Sequence, residues 1–237
     1  RPWLDEAQVE PRIKVDVAFD IEVLGQRDLS QYQVIVQNYV NWHDPAGISE
    51  PSRKAFVDYL KSGGGLVLVH FANGAFNFSL PMAEKSDWPE YREIVRRVWN
   101  HKGQGEAQSG HDSFGRYAVR PTKEPHAITA GLAEFDVDDE LYFRQDGKEP
   151  IQPLIVATSK VTKRDEPLAW TYHYGKGRVF QTLLGHSEKT YLAFEPGEML
   201  RRAVAWCADR PMQPREKPAN QPISAPAVAT PAISTPP

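Results

Sequence analysis

Hydrophobic and polar positions in the first part of the chain alternate between strand and helix periods. Residues 13–19 (IKVDVAF) alternate apolar and polar side chains and predict a strand, and residues 32–40 (YQVIVQNYV) predict a buried strand. Apolar residues then recur at helical spacing between Ser49, a predicted N-cap, and the glycines at 63–65. Residues 66–69 (LVLV) are typical of a central parallel strand. Together these elements predict a βαβ unit.

The pattern changes after residue 86, where short predicted strands follow in place of the strand–helix–strand order. An amphipathic helix is predicted over residues 87–100, and a last helix over about 196–208. Between them the alternation predicts several strands, at 115–120, 140–144, 154–158, 168–172 and 178–183. The last two form a predicted hairpin turned at Tyr174-Gly175-Lys176-Gly177.

Composition divides the chain into two parts. Residues 1–210 are predicted to form one α/β domain, which opens with a short helix within residues 3–9 that stops at Pro11. In residues 211–237 proline, alanine, serine and threonine dominate, so this segment is predicted to be a disordered tail or linker. It is either dispensable or a tether to further domains.

Charge and hydropathy exclude two classes of partner. The net charge is −3 with both signs interspersed, which argues against a nucleic-acid partner. No apolar run approaches the roughly 18 residues that span a membrane, so we expect no membrane partner and a soluble protein. A single cysteine does not decide the cellular compartment. One alternative, a module within a larger exported protein, slightly favours an extracytoplasmic location.

Candidate chemistry is concentrated in histidines at predicted strand ends and loops. These are His43, His70, His111 and His186, and Glu140 is among the acidic residues that could partner them. Histidine with carboxylate suits either general acid–base chemistry or a divalent-metal site. For any single histidine a solvated or hydrogen-bonded structural role is the alternative, and we expect that role for His101, His126 and His173.

A nucleophilic mechanism has little support in the sequence. There is no GxSxG motif around a serine. Cys207 falls on the apolar face of the last predicted helix, where a buried thiol should be inert.

Six motifs in a fixed order resemble the ThuA-like (trehalose utilisation) family: GGGLVLVH at 63–70, WPEYREIV at 88–95, GHDSFGRYAV at 110–119, EPHAITAGL at 124–132, DELY at 139–142 and YGKGRVFQTLLGH at 174–186. The resemblance implies a flavodoxin-like, class I glutamine-amidotransferase-like fold, with a mostly parallel sheet flanked by helices and an added β-hairpin. Glutaminases of that fold carry a cysteine nucleophile where this chain has His70, so we do not expect glutaminase activity. Because the chain begins at a predicted helix, we expect the family's first strand to be missing.

The resemblance further implies a carbohydrate ligand, such as trehalose or an oxidised (keto) glycoside. We therefore predict catalytic roles for His70, His186 and Glu140, and substrate contacts from His43, Asn73, His111, Tyr142 and Tyr191. No cofactor is certain, but zinc or manganese is a candidate, with His70, His111 and His186 as candidate ligands. The alternatives are a non-catalytic sugar-binding or scaffolding module of a larger exported protein, and a structural domain with a decayed site.

Overall fold

A computed structural model describes residues 13–211 and 215–217. The helix predicted within residues 3–9 and most of the predicted tail at 211–237 lie outside the described residues. The described elements are, in chain order, α1 Val23–Gln26, β1 Val34–Gln37, α2 Glu50–Ser62, β2 Gly65–Val69, α3 Pro89–Val95, β3 Gly110–His111, β4 Gly115–Pro121, β5 Phe135–Asp139, β6 Tyr142–Phe143, β7 Pro153–Thr158, β8 Asp165–Tyr174, β9 Gly177–Thr182 and α4 Phe194–Cys207.

The α/β class is confirmed, but the prediction of a mostly parallel, flavodoxin-like sheet is not, because the sheet is mixed and mostly antiparallel. Seven strands follow the order β1–β2–β9–β8–β7–β4–β5, and β3 pairs with β6 in a separate small sheet. Only the β1–β2 and β2–β9 pairs are parallel. The other four neighbouring pairs are antiparallel. The physical reason is the connections: β7, β8 and β9 follow one another without crossover helices, so each strand returns beside the last one in the opposite direction.

Three local predictions are corrected as well. Residues 13–19 form no strand, and their alternating side chains belong to an irregular segment without a ladder in the described structure. The helix predicted over 87–100 is limited to Pro89–Val95, because Arg96 adopts a left-handed φ of 47° that ends it. The strand predicted at 140–144 shortens to Tyr142–Phe143, and β5 just before it was not predicted.

Elements with strong local signals form where they were predicted. Helix α2 begins after Ser49 and ends at Gly63, whose φ of 120° suits glycine. The β8–β9 hairpin and helix α4 also match their predicted segments to within a few residues. Strand β2 is buried along its whole length, as expected of a central strand. The parallel part of the sheet, against which α4 packs, therefore follows directly from the sequence pattern.

The single cysteine is buried as predicted. Cys207 donates its Sγ hydrogen to the carbonyl of Leu66 at 3.3 Å. Burial raises the pKa of the thiol, so it stays protonated and unreactive at neutral pH. In the part of the chain that the structure describes, no helix has the length and apolar character needed to cross a bilayer.

A buried carboxylate fixes helix α4 to its surroundings. Glu198 accepts hydrogen bonds from Arg201 at 2.7 and 2.8 Å and from Arg202 at 2.8 Å. Arg215, within the segment that had been predicted as tail, also contacts this carboxylate at 3.3 Å. Burial alone would raise the pKa of Glu198, but the hydrogen bonds from Arg201 and Arg202 outweigh it and lower the pKa to about 2.

We predict that Glu198→Gln lowers the free energy of unfolding at pH 7 by about 3 kcal/mol, the value of the pKa shift by linkage. Because the folded pKa lies below the unfolded value of 4.5, this contribution is complete above pH 4.5 and is lost as the pH falls towards about 2. Urea unfolding between pH 2 and pH 7 measures the difference in free energy of unfolding between wild type and variant, which is the stability gap at each pH. The exposed Glu188, replaced by glutamine, is the control and should show no such gap. A gap that stays constant from pH 7 to pH 2 would contradict the assignment.

Candidate functional site

His70 occupies the end of the central strand β2 in a strained backbone conformation. Its φ of 52° is left-handed, and the chain turns directly from β2 into a short 3₁₀ helix over His70–Gly74. A left-handed φ is uncommon in residues other than glycine, and residues held in this conformation are concentrated at functional sites. The residue is 8% exposed, so the turn places the imidazole at the rim of the sheet, buried beneath other residues.

Two further candidate residues meet His70 at this rim. Glu140 follows β5, and His186 lies in the loop after β9. The Nε2 atom of His70 is 3.7 Å from Oε2 of Glu140, and Nδ1 of His186 is 3.2 Å from the same oxygen. Residues 70, 140 and 186, which are far apart in the chain, therefore converge at one edge of the sheet, as their positions at strand ends led us to expect.

The hydrogen bonds of His70 define where its proton sits. Nδ1 lies 2.9 Å from the carbonyl oxygen of Leu183, which can only accept, so Nδ1 carries the hydrogen. Nε2 then accepts a hydrogen bond from the hydroxyl of Tyr142 at 2.9 Å. Burial lowers the pKa of His70 and outweighs the opposing effects of that carbonyl and of nearby carboxylates. The imidazole is therefore neutral, with its Nε2 lone pair facing Tyr142 and Glu140.

Asp139 accepts backbone hydrogen bonds from two of these three residues. Its fully buried carboxylate accepts hydrogen bonds from the backbone N–H of Glu140 at 2.8 Å and of His186 at 3.0 Å. It also accepts from the backbone N–H of Gly185 at 2.7 Å and from the hydroxyl of Thr190 at 2.9 Å. One side chain thus fixes the loop of Glu140 against the loop of His186, which sets the distance between them.

His111 and Tyr142 complete the polar part of the site. His111 Nδ1 is 3.7 Å from the second carboxylate oxygen of Glu140 and 2.8 Å from the backbone carbonyl of Asp112. Because that carbonyl accepts the Nδ1 hydrogen, the lone pair of this imidazole is on Nε2. Burial and the neighbouring Glu140 raise the pKa of Tyr142, so its hydroxyl remains a hydrogen-bond donor at neutral pH.

Aromatic rings surround the histidine and carboxylate groups. Trp99 packs against Tyr142 with ring centroids 4.9 Å apart, and Phe71 contacts both of these rings. Phe114 lies on the other side, 5.3 Å from the His186 ring, and is 53% exposed. A half-exposed aromatic face beside a polar cluster is suited to pack against the apolar face of a ligand ring.

The other predicted site residues occupy different positions. His43 is exposed, and its ring contacts Trp42 rather than the His70 group. Asn73 is buried and donates to Gln145 at 2.6 Å, whereas its Oδ1 has no hydrogen-bond partner among the described residues. Tyr191 is buried and donates to the carbonyl of Leu184 at 2.7 Å, so it lies beneath the His186 loop.

The histidines with expected structural roles lie elsewhere. His126 and His173 both contact the ring of Trp206 in helix α4. His101 contacts the ring of Trp42. None of the three belongs to the group formed by His70, Glu140 and His186 in the described part of the chain.

Sequence reasoning gave no role to Asp139 or Phe114. A signal for Asp139 exists in the strand itself, since residues 135–139 (FDVDD) alternate and put Phe135, Val137 and Asp139 on one buried face. A carboxylate on an otherwise apolar buried face needs hydrogen-bond donors. Phe114 has no comparable signal, because only its contact with His186, 72 positions away, identifies it.

A cavity of about 460 Å³ lies away from this group, at the opposite end of β2, lined by residues that include Gly63, Gly64, Arg178 and Cys207. Its size does not make it the better candidate. Arg178 is engaged by Asp209 at 2.8 Å and by the Trp206 carbonyl at 3.0 Å, and the Cys207 thiol is inert. The convergence of titratable groups favours the site at His70.

Comparison with known proteins agrees with this architecture. The family model described as trehalose utilisation (ThuA) matches residues 2–207. A ThuA-like protein from Parabacteroides merdae is 25% identical, with a TM-score of 0.68 over 86% of this chain and 82% of that chain.

Two more distant structures are similar in fold alone. A ThuA-like protein from Bacteroides uniformis is 18% identical, with a TM-score of 0.56 over 81% of this chain and 76% of that chain. A cytoplasmic protein from Salmonella typhimurium is 14% identical, with a TM-score of 0.52 over 86% of this chain and 85% of that chain. No curated protein matches the sequence.

Proposed function

The chain belongs to the ThuA (trehalose utilisation) family, and on that premise we propose that it is an enzyme acting on carbohydrates at the His70–Glu140–His186 site. The observation that carries the proposal is the convergence of His70 Nε2, a Glu140 oxygen and a His186 nitrogen within 4.8 Å of one another. Substrates of the trehalose or keto-glycoside type follow from the family association. Such sugars offer hydroxyl, carbonyl and acidic C–H protons to a proton-transferring site.

Two polar contacts in the site can transfer protons. The neutral Nε2 of His70 accepts from Tyr142, so a proton that leaves the substrate for the phenol oxygen can displace the phenol's own proton onto Nε2. On the other side His186 Nδ1 is 3.2 Å from Glu140 and can exchange a proton with that carboxylate. His70 with Tyr142 therefore serves as the base, and Glu140 with His186 as the acid that protonates the leaving oxygen.

The substrate would lie between aromatic surfaces. Phe114, beside His186, offers a half-exposed ring on which a sugar can stack. His111, which lies 3.7 Å from Glu140, and Tyr142, which lies 2.9 Å from His70, are the proposed hydrogen-bond partners of the sugar hydroxyls.

A glutaminase reaction does not fit this site. The residue at the end of β2 is His70, and the chain's single cysteine is buried in α4 against the Leu66 carbonyl. A thioester needs an accessible thiolate, which Cys207 does not provide.

The proposal predicts that His70→Ala and His186→Ala each lower kcat/KM on an oxidised disaccharide by at least about 100-fold, the usual contribution of a positioned acid or base. The exposed His173, which is outside the site, gives the matched control: His173→Ala should retain wild-type turnover. Product formation from trehalose and from its oxidised derivatives is measured with each protein. Unchanged turnover in both site variants would remove these histidines from the mechanism.

A second candidate is a non-catalytic sugar-binding or scaffolding module of a larger, extracytoplasmic protein, tethered through the Pro-rich segment. The exposed Phe114 ring favours sugar binding as such, with or without chemistry. Calorimetry with the same sugars separates the two candidates, because binding without turnover favours the module. Neither candidate involves nucleic acid or a membrane.

A further inference from the structure

We infer that the same three side chains hold one divalent transition-metal ion of the zinc or manganese class. This inference deepens the proposed function and rests on it for its catalytic meaning. The ligand atoms are His70 Nε2, a Glu140 carboxylate oxygen and His186 Nδ1. Two imidazoles with one carboxylate form a ligand set that catalytic zinc sites use, with a fourth position left open.

The distances between the ligand atoms match the size of such an ion. Zinc bonds of about 2.0–2.2 Å at tetrahedral angles put neighbouring ligand atoms roughly 3.3–3.6 Å apart. The observed separations from Glu140 Oε2 are 3.7 Å to His70 Nε2 and 3.2 Å to His186 Nδ1. Two of the three separations are therefore close to those that an ion requires, and all three ligand atoms lie within 4.8 Å of one another. His111, the third ligand candidate from the sequence, is not part of this convergent set.

The lone pairs needed for coordination are available. The Nδ1 hydrogen of His70 is held by the Leu183 carbonyl at 2.9 Å, which directs the Nε2 lone pair towards Glu140. Tyr142 now occupies that lone pair, but its hydroxyl also has the Glu140 carboxylate within hydrogen-bond reach. It can turn to that carboxylate when an ion takes Nε2, so no buried hydroxyl loses its partner.

The outer layer of the site has the charge and rigidity that a cation requires. Asp139 lies directly behind Glu140 and His186 and holds the backbone N–H of each at 2.8 and 3.0 Å. By holding the backbone at both positions, Asp139 fixes the two loops that carry these ligands. The buried carboxylate of Asp139 also adds a negative charge that partly offsets the two positive charges of the ion.

The exposed side of the site leaves room for water or substrate. The side chain of His186 is 47% exposed, whereas that of Glu140 is 15% exposed, so solvent reaches the ion from the His186 and Phe114 side. A bound ion would supply a Lewis acid for a sugar oxygen. In that state His111 and Tyr142, rather than His70, are the side chains left to exchange protons with the substrate.

Calorimetric titration of the untagged, chelator-treated full chain with zinc chloride, and separately with manganese chloride, tests this inference. We expect one equivalent bound by wild type and by the control His173→Ala. Affinity should fall at least roughly 100-fold in His186→Ala and in Glu140→Gln, since even the outer partners of a ligand contribute about 10- to 100-fold. Circular dichroism of each variant confirms that it is folded.

The inference is overturned if neither metal binds stoichiometrically, or if both site variants bind as tightly as wild type. Undiminished sugar turnover by chelator-treated protein would also overturn it while leaving the proposed function intact. One equivalent bound through these residues, with no turnover of any tested sugar, would support the metal site and contradict the proposed function.

Discussion

Replacing Glu140 by glutamine is expected to lower kcat/KM on the sugar substrate by about 10²- to 10⁴-fold, the range for loss of an acid–base group. Glu140 is the residue that the other site groups share, because His70, His111 and His186 all lie within 3.7 Å of its carboxylate. Glutamine keeps the shape but removes the charge and the exchangeable proton. The rate measurement is initial turnover of an oxidised disaccharide, with kcat and KM determined separately.

The control for this variant is Glu134→Gln. Glu134 is exposed, immediately before β5, and should leave kcat and KM unchanged. Both proteins should unfold at the same temperature as wild type, to within a few degrees, since an amide replaces a carboxylate of equal size. If Glu140→Gln turned over the sugar within twofold of wild type, the carboxylate would have no part in the reaction.

Asp139→Ala is expected to lower the free energy of unfolding by about 3–5 kcal/mol, the cost of leaving buried hydrogen-bonding groups without their charged partner. The fully buried carboxylate satisfies the backbone N–H groups of Glu140, Gly185 and His186. Alanine leaves all three without this acceptor. The change should be measured by urea unfolding at pH 7.

The preceding residue gives a matched control on the same strand. Asp138 points outward and is exposed, so Asp138→Ala should change stability by no more than about 0.5 kcal/mol. Asp139→Asn should recover part of the loss, because its amide oxygen still accepts two of the hydrogen bonds. Equal stabilities of the two alanine variants would mean that Asp139 does not fix the Glu140 and His186 loops.

The sequence predicted those elements whose stabilising interactions are local. Helix α2 has a proline in its first turn and its terminating Gly63 within one stretch of chain, and the β8–β9 hairpin carries its own turn. The antiparallel half of the sheet depends instead on pairing between distant segments, such as Arg120 with Val156. Nothing in the local pattern of β4 specifies that partner, so the proportion of parallel strands was overestimated.

The site also has a part that was predictable from the sequence and a part that depends on distant contacts. That His70 and His186 meet was predictable from their places at strand ends, because β2 and β9 are neighbours and run parallel. The position of Glu140 depends on Asp139, whose partners Gly185 and His186 are about 46 residues further along the chain. The positions of Phe114 and Tyr142 relative to the histidines likewise follow from the folded chain and not from sequence spacing.

The NMR response of the imidazole nitrogens to a sugar tests directly whether carbohydrate binds at the His70–Glu140–His186 site. The chain has seven histidines, and their ring nitrogens can be followed individually while an oxidised disaccharide is titrated into the ¹⁵N-labelled protein. We expect the signals of His70, His111 and His186 to shift together with one dissociation constant, whereas those of His126 and His173 stay unchanged. Saturable binding of the sugar that leaves the first three signals in place would show that carbohydrate is bound elsewhere and would contradict the proposed site.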